Sequence, residues 1–334
     1  MVRESSECYV EGALCLGATM LDAEQIRFFK TQGYLIVPGA MDTALCRRVR
    51  ELMWQALPPN TRLQADDPAS FVGPFSEQDE SSDERHMRAD YRWLNRFLGV
   101  NADVIRLIYS ESICQMAQQL LGGQLRQAVV DGSPMGSHGP AWPGGPTDPA
   151  LGNEGARGVY CTLPYGNKAR GPDGCHTDGH PFQLGVVGLL DDCPADGGAF
   201  KVWPGSHARL FPTFALRYDQ PRIPYYPHLP GFKGISHSEA YTVELSRIID
   251  EVEPVECVGQ AGDVVFWHHR LAHAAGQNYS ERIRQAVLAD FWTHDLDTLR
   301  TKPVSENMWE DWSLALQRAD EQSTAIQKNE RSSP

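Results

Sequence analysis

The sequence predicts a mainly β protein, an antiparallel barrel or jelly roll flanked by helices. Two observations carry this. From Gly158 to Trp292, short runs rich in β-branched and aromatic residues alternate with turns: GVYCTLP, FQLGVVGLL, AFKVWPG, DVVFWHH and RQAVLADFW. Ahead of them, apolar residues recur at helical spacing between capping signals.

In chain order, the first twenty residues, MVRESSECYVEGALCLGATM, place Glu4, Glu7 and Glu11 where a signal peptide would be basic, and are expected to form a loose cytoplasmic tail. In LDAEQIRFFKTQG, Asp22 caps a helix, Gln25 closes a capping box, Ile26 and Phe29 share a face, and Gly33 ends it. YLIVPG reads as a short strand. A second helix is expected from about Asp42 to Leu57, with Leu45, Val49, Leu52 and Met53 on its buried side, and a third from about Ala102 to a stop at Gly122. Between these helices DDPASFVGPFSEQDESSDERH reads as a solvated acidic loop. The Gly- and Pro-rich GSPMGSHGPAWPGGPTDPALGNEG is too broken for regular structure. The run from Phe211 to Val255, with PRIPYYPHLPGF inside it, interrupts the strand pattern as an insertion or lid over one mouth. One domain over 21–300 and a polar helical tail over 301–334 complete the expected organisation.

The chain's 334 residues, 41% hydrophobic and 22% charged, have the composition of a globular protein with a large core. A formal charge of -13 argues against nucleic acid and anionic membrane surfaces as partners. No run approaches the roughly 18 apolar residues of a spanning helix. The cysteines at 8, 15, 46, 114, 161, 175, 193 and 257 form no C-x-x-C pair, so neither a zinc knuckle nor a disulfide framework is indicated.

The densest ligand chemistry lies in GCHTDGH, residues 174–180. If this segment is extended, His176 and Asp178 project to one side and Cys175, Thr177 and Gly179 to the other. Such a pair chelates a metal at two points. A facial non-haem Fe(II) site needs a further histidine and keeps its remaining positions open. AGDVVFWHHRLAHAAGQNYSERIRQAVLADFW offers His268, His269 and His273. The first two fit core positions in an aromatic stretch, and composition alone leaves His273 undecided. Arg284, on the following strand, is placed to hold a carboxylate bidentately. His237, Ser238 and Glu239 repeat the spacing without a following strand and read as a decoy.

Taken in order, LDAEQIRFFKTQGYLIVPGA, HTD, LLDDCPADGGAFKVWPGSH and GDVVFWHHRLAHAAGQNYSERIR resemble the landmarks of the phytanoyl-CoA dioxygenase-like enzymes, which are Fe(II)- and 2-oxoglutarate-dependent oxygenases. The resemblance spans about residues 21–292, with its specific motifs in 176–207 and 262–284. It implies a double-stranded β-helix, a cupin-like jelly roll. It also implies His176, Asp178 and His273 as iron ligands and Arg284 as partner of the distal carboxylate of 2-oxoglutarate. His273 is favoured because it precedes the N-x-S-x-x-x-R turn formed by Asn278, Ser280 and Arg284. His207, in PGSH, falls in a structural turn. Thr162 occupies a cosubstrate-contact position that is often Asn. Ala275 stands where a hydroxyl residue is common, and GVVGLL lacks a frequent aromatic.

The implied reaction consumes O2 and 2-oxoglutarate, oxidises a C–H bond of a small molecule, and releases succinate and carbon dioxide. A carboxylate at Asp178 points to hydroxylation or a related oxidation rather than halogenation, since halogenating relatives carry a small residue there. Lys201, Arg209, His180 and the tyrosines of 211–255 are candidates to line the mouth. Both an acyl-CoA and a free metabolite remain open as substrates. Two alternatives stand beside this reading: a cupin-type metalloenzyme that ignores 2-oxoglutarate, and a non-catalytic binding protein on the same fold.

Overall fold

In the computed structural model, Asp22 accepts a hydrogen bond from the Gln25 amide while the Gln25 side chain accepts one from Asp22, so both halves of the capping box form. The structure describes residues 20–57, 60–75, 86–89, 91–125, 128–130, 133–135, 156–178, 182–214, 238–299, 302–303 and 305–319. Helix α1 (Ala23–Gln32) ends at Gly33, whose φ of 80° is the left-handed conformation that glycine adopts most readily. Strand β1 (Tyr34–Val37) follows. Asp42 then caps α2 (Thr43–Gln55), which buries Cys46, Val49 and Met53. Each such apolar side chain removed from water contributes about 1.5–3 kcal/mol before entropy is counted.

A hairpin that the sequence pattern did not reveal comes next, β2 (His86–Ala89) and β3 (Arg92–Asn95). The expected single third helix is two, α3 (Ala102–Ile108) and α4 (Glu111–Leu121). The chain breaks between them because Ser110 takes an extended conformation as N-cap of α4, while the Tyr109 hydroxyl is drawn to the Asp290 carbonyl. Strands β4 (Ala128–Val130) and β5 (Ser133–Met135) pair, so the start of the Gly/Pro-rich segment is regular after all; residues 136–155 lie outside the described residues. Proline at the centre of β5 is tolerated in so short an edge strand.

The barrel strands are β6 (Gly158–Thr162), β7 (Leu184–Leu189), β8 (Phe200–Val202), β9 (Val255–Cys257), β10 (Val264–His268), β11 (His273–Ala275) and β12 (Arg284–Phe291). They form a seven-stranded sheet in the order β1-β10-β7-β12-β6-β3-β2 and a three-stranded sheet β11-β8-β9, with antiparallel pairing throughout. Two facing antiparallel sheets of this kind are the jelly roll of a double-stranded β-helix.

Period-two alternation separates the cores. Val187, Leu189, Val265, Trp267 and Ala286 of the large sheet meet Phe200, Val202 and Cys257 of the small one. Val186, Phe266, Val287 and Phe291 point the other way, against Phe29, Met53, Ile108 and Leu120 of the helices. On the small sheet, helices α5 (Ser206–Leu210) and α6 (Glu239–Glu251) cover Ala272 and Ala274 through Leu210, Tyr241 and Ile248. Helix α6 lies within the predicted 211–255 insertion, of which residues 215–237 fall outside the described residues. After α7 (Leu296–Leu299), the polar C-terminal segment carries Trp309, Trp312 and Leu316, the last on α8 (Leu314–Gln317), into the helix-side core beside Phe29.

Candidate metal centre and anion pocket

His176 and His273 are joined through their backbones. His176 N–H donates to the His273 carbonyl at 3.0 Å and His273 N–H to the His176 carbonyl at 2.8 Å. The expected strand at 176–178 is therefore a one-residue bridge appended to β11, yet His176 and Asp178 still converge. His176 Nδ1 lies 2.9 Å from the Gly174 carbonyl, and His273 Nδ1 lies 2.8 Å from the Leu271 carbonyl. A carbonyl only accepts, so Nδ1 carries the proton in both rings and Nε2 keeps its lone pair. Those Nε2 atoms stand 3.7 and 3.6 Å from Asp178 Oδ1.

One ligand atom from each residue lies within 4.8 Å of the others, and this is the cluster found among the described residues. Two imidazole nitrogens of the correct tautomer and one carboxylate oxygen are the donor set of a facial Fe(II) site, so the residues fit that metal. His273 is buried and backed by Trp267 at 4.4 Å and Phe200 at 5.3 Å, whereas the His176 side chain is 40% exposed. Gly185 makes this wall possible, because a Cβ there would lie 2.1 Å from the Trp267 indole.

Arg284 opens β12 with Nε donating to the Gly198 carbonyl at 2.9 Å and Nη1 to the Tyr160 carbonyl at 3.3 Å. It is 5% exposed, and among the described residues no carboxylate pairs with it. Burial, assisted by the nearby Arg92 charge and opposed by Cys193 and Cys161, pushes its guanidinium down to about 10. Register places Thr162 opposite Arg284 and Arg92 opposite Thr162, so the three share one face across β3, β6 and β12. Thr162 Oγ1 and Arg92 Nε are both buried without a hydrogen-bond partner. A buried cation and orphaned polar atoms are costly unless an anion meets them, so this row fits the carboxylate of 2-oxoglutarate. Asn278 holds the row in place: its Nδ2 donates to the Thr162 and Arg282 carbonyls, and its Oδ1 accepts from the Ser280 amide and hydroxyl. Ala275, facing Phe200 in the small sheet, brings no hydroxyl.

Three residues play parts that the sequence reading did not give them. Arg92 is one. The second is Tyr241 of α6, expected only as one of the mouth tyrosines of 211–255, whose hydroxyl meets Thr177 N and Oγ1 at 3.0 Å and so steadies the residue between His176 and Asp178. The third, Arg157, donates to Asp178 Oδ2 at 2.6 Å and grips Asp290 with Nε and Nη2 at 2.8 and 2.5 Å. Burial disfavours its charge, but Asp290 and Asp178 outweigh that and hold it firmly protonated. Each of the three acquires meaning only from a partner that the fold delivers.

Several expected mouth residues are otherwise engaged. Lys201 is buried and paired with Asp173 at 3.1 Å and Glu256 at 3.6 Å. Arg209 pairs with Glu244 and Glu251 of α6. His180 and His237 lie outside the described residues, and Ser238 caps α6. His268 and His269 do not join the His176–Asp178–His273 cluster: His268 stacks on Trp312 at 4.9 Å, and both rings accept from Arg270.

Residues 29–286 match the profile of the phytanoyl-CoA dioxygenase (PhyH) family. The chain belongs to the phytanoyl-CoA dioxygenase family. As a member of this family it is a non-haem Fe(II)- and 2-oxoglutarate-dependent oxygenase. Among solved structures it is similar to AviO1 from Streptomyces viridochromogenes Tue57, at 18% identity over 83% of this chain and 97% of that one, with a TM-score of 0.46. It is also similar to the non-heme alpha ketoglutarate-dependent carbocyclase SnoK from nogalamycin biosynthesis, at 18% identity over 88% and 96%, with a TM-score of 0.47. EctD from S. alaskensis with bound Fe is similar at 15% identity over 86% and 82%, with a TM-score of 0.47. No curated protein matches the chain in sequence. No helix among the described residues is long and apolar enough to cross a membrane.

Proposed function

We propose that His176, Asp178 and His273 hold the Fe(II) of this oxygenase, that Arg284 and Thr162 hold its 2-oxoglutarate, and that it hydroxylates, or otherwise oxidises, a C–H bond of a small molecule. The observation that carries the reading is the convergence of two Nε2 lone pairs on one carboxylate oxygen, in rings already oriented by backbone carbonyls. When bound, Fe(II) supplies the redox chemistry that couples oxidative decarboxylation of 2-oxoglutarate to oxidation of the substrate by O2.

The chain's own residues bind, orient and exclude water. Arg284 supplies a full positive charge in a dry pocket, where pairing with the distal carboxylate removes the cost of burying it alone. Thr162 adds a hydroxyl donor beside it, and Arg92 a second cation on the same face. Trp267 and Phe200 seal the wall behind His273, leaving the His176 side as the approach for substrate. Asp178 keeps a carboxylate at the position whose loss would admit a halide.

Anaerobic addition of Fe(II) and 2-oxoglutarate to metal-free protein should give the weak visible charge-transfer band of the chelate, and Arg284→Gln should weaken it. Bound iron with no band on adding 2-oxoglutarate would sink the cosubstrate assignment in favour of a cupin-type metalloenzyme.

A further inference from the structure

The carboxylate of Asp178 is divided between two tasks. Its Oδ1 faces His176 Nε2 at 3.7 Å and His273 Nε2 at 3.6 Å, while its Oδ2 accepts from Arg157 Nη1 at 2.6 Å. Arg157 is itself held at three points: its backbone N–H donates to the Leu288 carbonyl at 2.8 Å, and its Nε and Nη2 form a two-bonded fork onto Asp290 of β12. Its guanidinium also lies 5.0 Å from the Phe182 ring centroid and 5.6 Å from that of Trp267, the indole that backs His273.

We propose that Arg157 is a positioning residue that keeps Asp178 monodentate: it occupies Oδ2 so that Oδ1 alone is offered to the metal. The inference rests on the ligand assignment above and goes beyond it. A free carboxylate turns about its terminal bond and can offer both oxygens to a metal. A second carboxylate oxygen would take the space that the cosubstrate chelate needs. The planar guanidinium prevents this because its fork satisfies Asp290 while its remaining arm reaches Asp178. Lysine, a single compact cation, cannot do both. Asp290 is thus part of the arrangement although it faces no ligand histidine.

The test compares metal-free wild type, Arg157→Gln, and the double variant Arg157→Gln/Asp290→Asn, which removes both the cation and the Asp290 charge it neutralises. Two quantities are read: the Mn(II) dissociation constant without cosubstrate, and the 2-oxoglutarate midpoint of the anaerobic Fe(II) charge-transfer band. Loss of a residue that orients a metal ligand typically costs roughly 10- to 100-fold. The expected result is that loss in the 2-oxoglutarate midpoint of both variants, with Mn(II) bound at least as tightly as in wild type. A parallel weakening of both quantities, or recovery of the midpoint in the double variant, would make Arg157 a structural residue and overturn the proposal. An unchanged midpoint in Arg157→Gln would do the same. Failure of wild type itself to bind Mn(II) would instead remove the ligand assignment and the proposal with it, an outcome visible without any variant.

Discussion

The molecule carries two groups of histidines on opposite sides of its large sheet. On the inner side, His273 and His176 meet Asp178 with Nε2 turned towards its carboxylate. On the outer side, His268 and His207 lie 5.3 Å apart, ring to ring, among Trp309 and Trp312. The second group is aromatic, buried and without a carboxylate partner among the described ion pairs. Burial lowers His268 well below the ordinary imidazole range, with His269, His207 and Arg270 adding to it, and pushes His207 down to about 4. Histidine density therefore says little about metal binding. What separates the groups is which ring nitrogen the backbone occupies and whether a carboxylate shares the space.

The sharpest way to break this contrast is to remove the carboxylate. Asp178→Ala should lower 2-oxoglutarate turnover by at least about 100-fold, since it deletes a proposed ligand rather than a group behind one. An unaffected rate would end the assignment. Next in size, Arg284→Gln should weaken 2-oxoglutarate by about 1.5–3 kcal/mol, read as the midpoint of the charge-transfer titration, and leave Mn(II) binding in place. Loss of metal binding in that variant would mean that the two sites are not separable.

The outer group predicts stability instead. Folded His207 sits at about 4 against an ordinary 6.5, so the unfolded chain takes up a proton that the folded one refuses. Its contribution is complete above about pH 6.5 and is lost as the pH falls towards 4, by roughly 3 kcal/mol over that window. Urea unfolding at several pH values should show this slope, and His207→Phe should flatten it. A slope that survives the substitution would assign it to other groups, His268 first. Smallest of all, His268→Leu should cost about 1–3 kcal/mol, because the Arg270 amide loses its acceptor, while the charge-transfer band stays intact. A weakened band would show that the outer cluster reaches the metal site.

Legibility in the sequence followed locality. The capping box of α1, the Gly33 stop and the apolar strands β6, β7, β10 and β12 were readable because their signals lie within a few residues. The break at Tyr109–Ser110 was not, since one residue in an extended conformation interrupts an otherwise continuous apolar pattern. Strands β2 and β3, four residues each, were too short to show an alternation. Motif order singled out His176, Asp178, His273 and Arg284 as candidates, and the fold brings the first three together, whereas Arg157 was invisible. Its role depends on β6 lying beside β12 and on an aspartate, Asp290, with no motif around it. Lys201 failed as a mouth residue for the same reason: its two acidic partners arrive from distant segments.

The reciprocal backbone bonds between His176 and His273 have a thermodynamic corollary. They close a long loop of chain before any metal arrives, so the conformational entropy of bringing the two histidines together is charged to folding of the barrel. Metal capture then starts from a rigid receptor, and the apoprotein should keep the fold that a zinc finger loses without its ion. Hydrogen exchange at those two amides would report the integrity of the receptor directly, with slow exchange expected in the metal-free state.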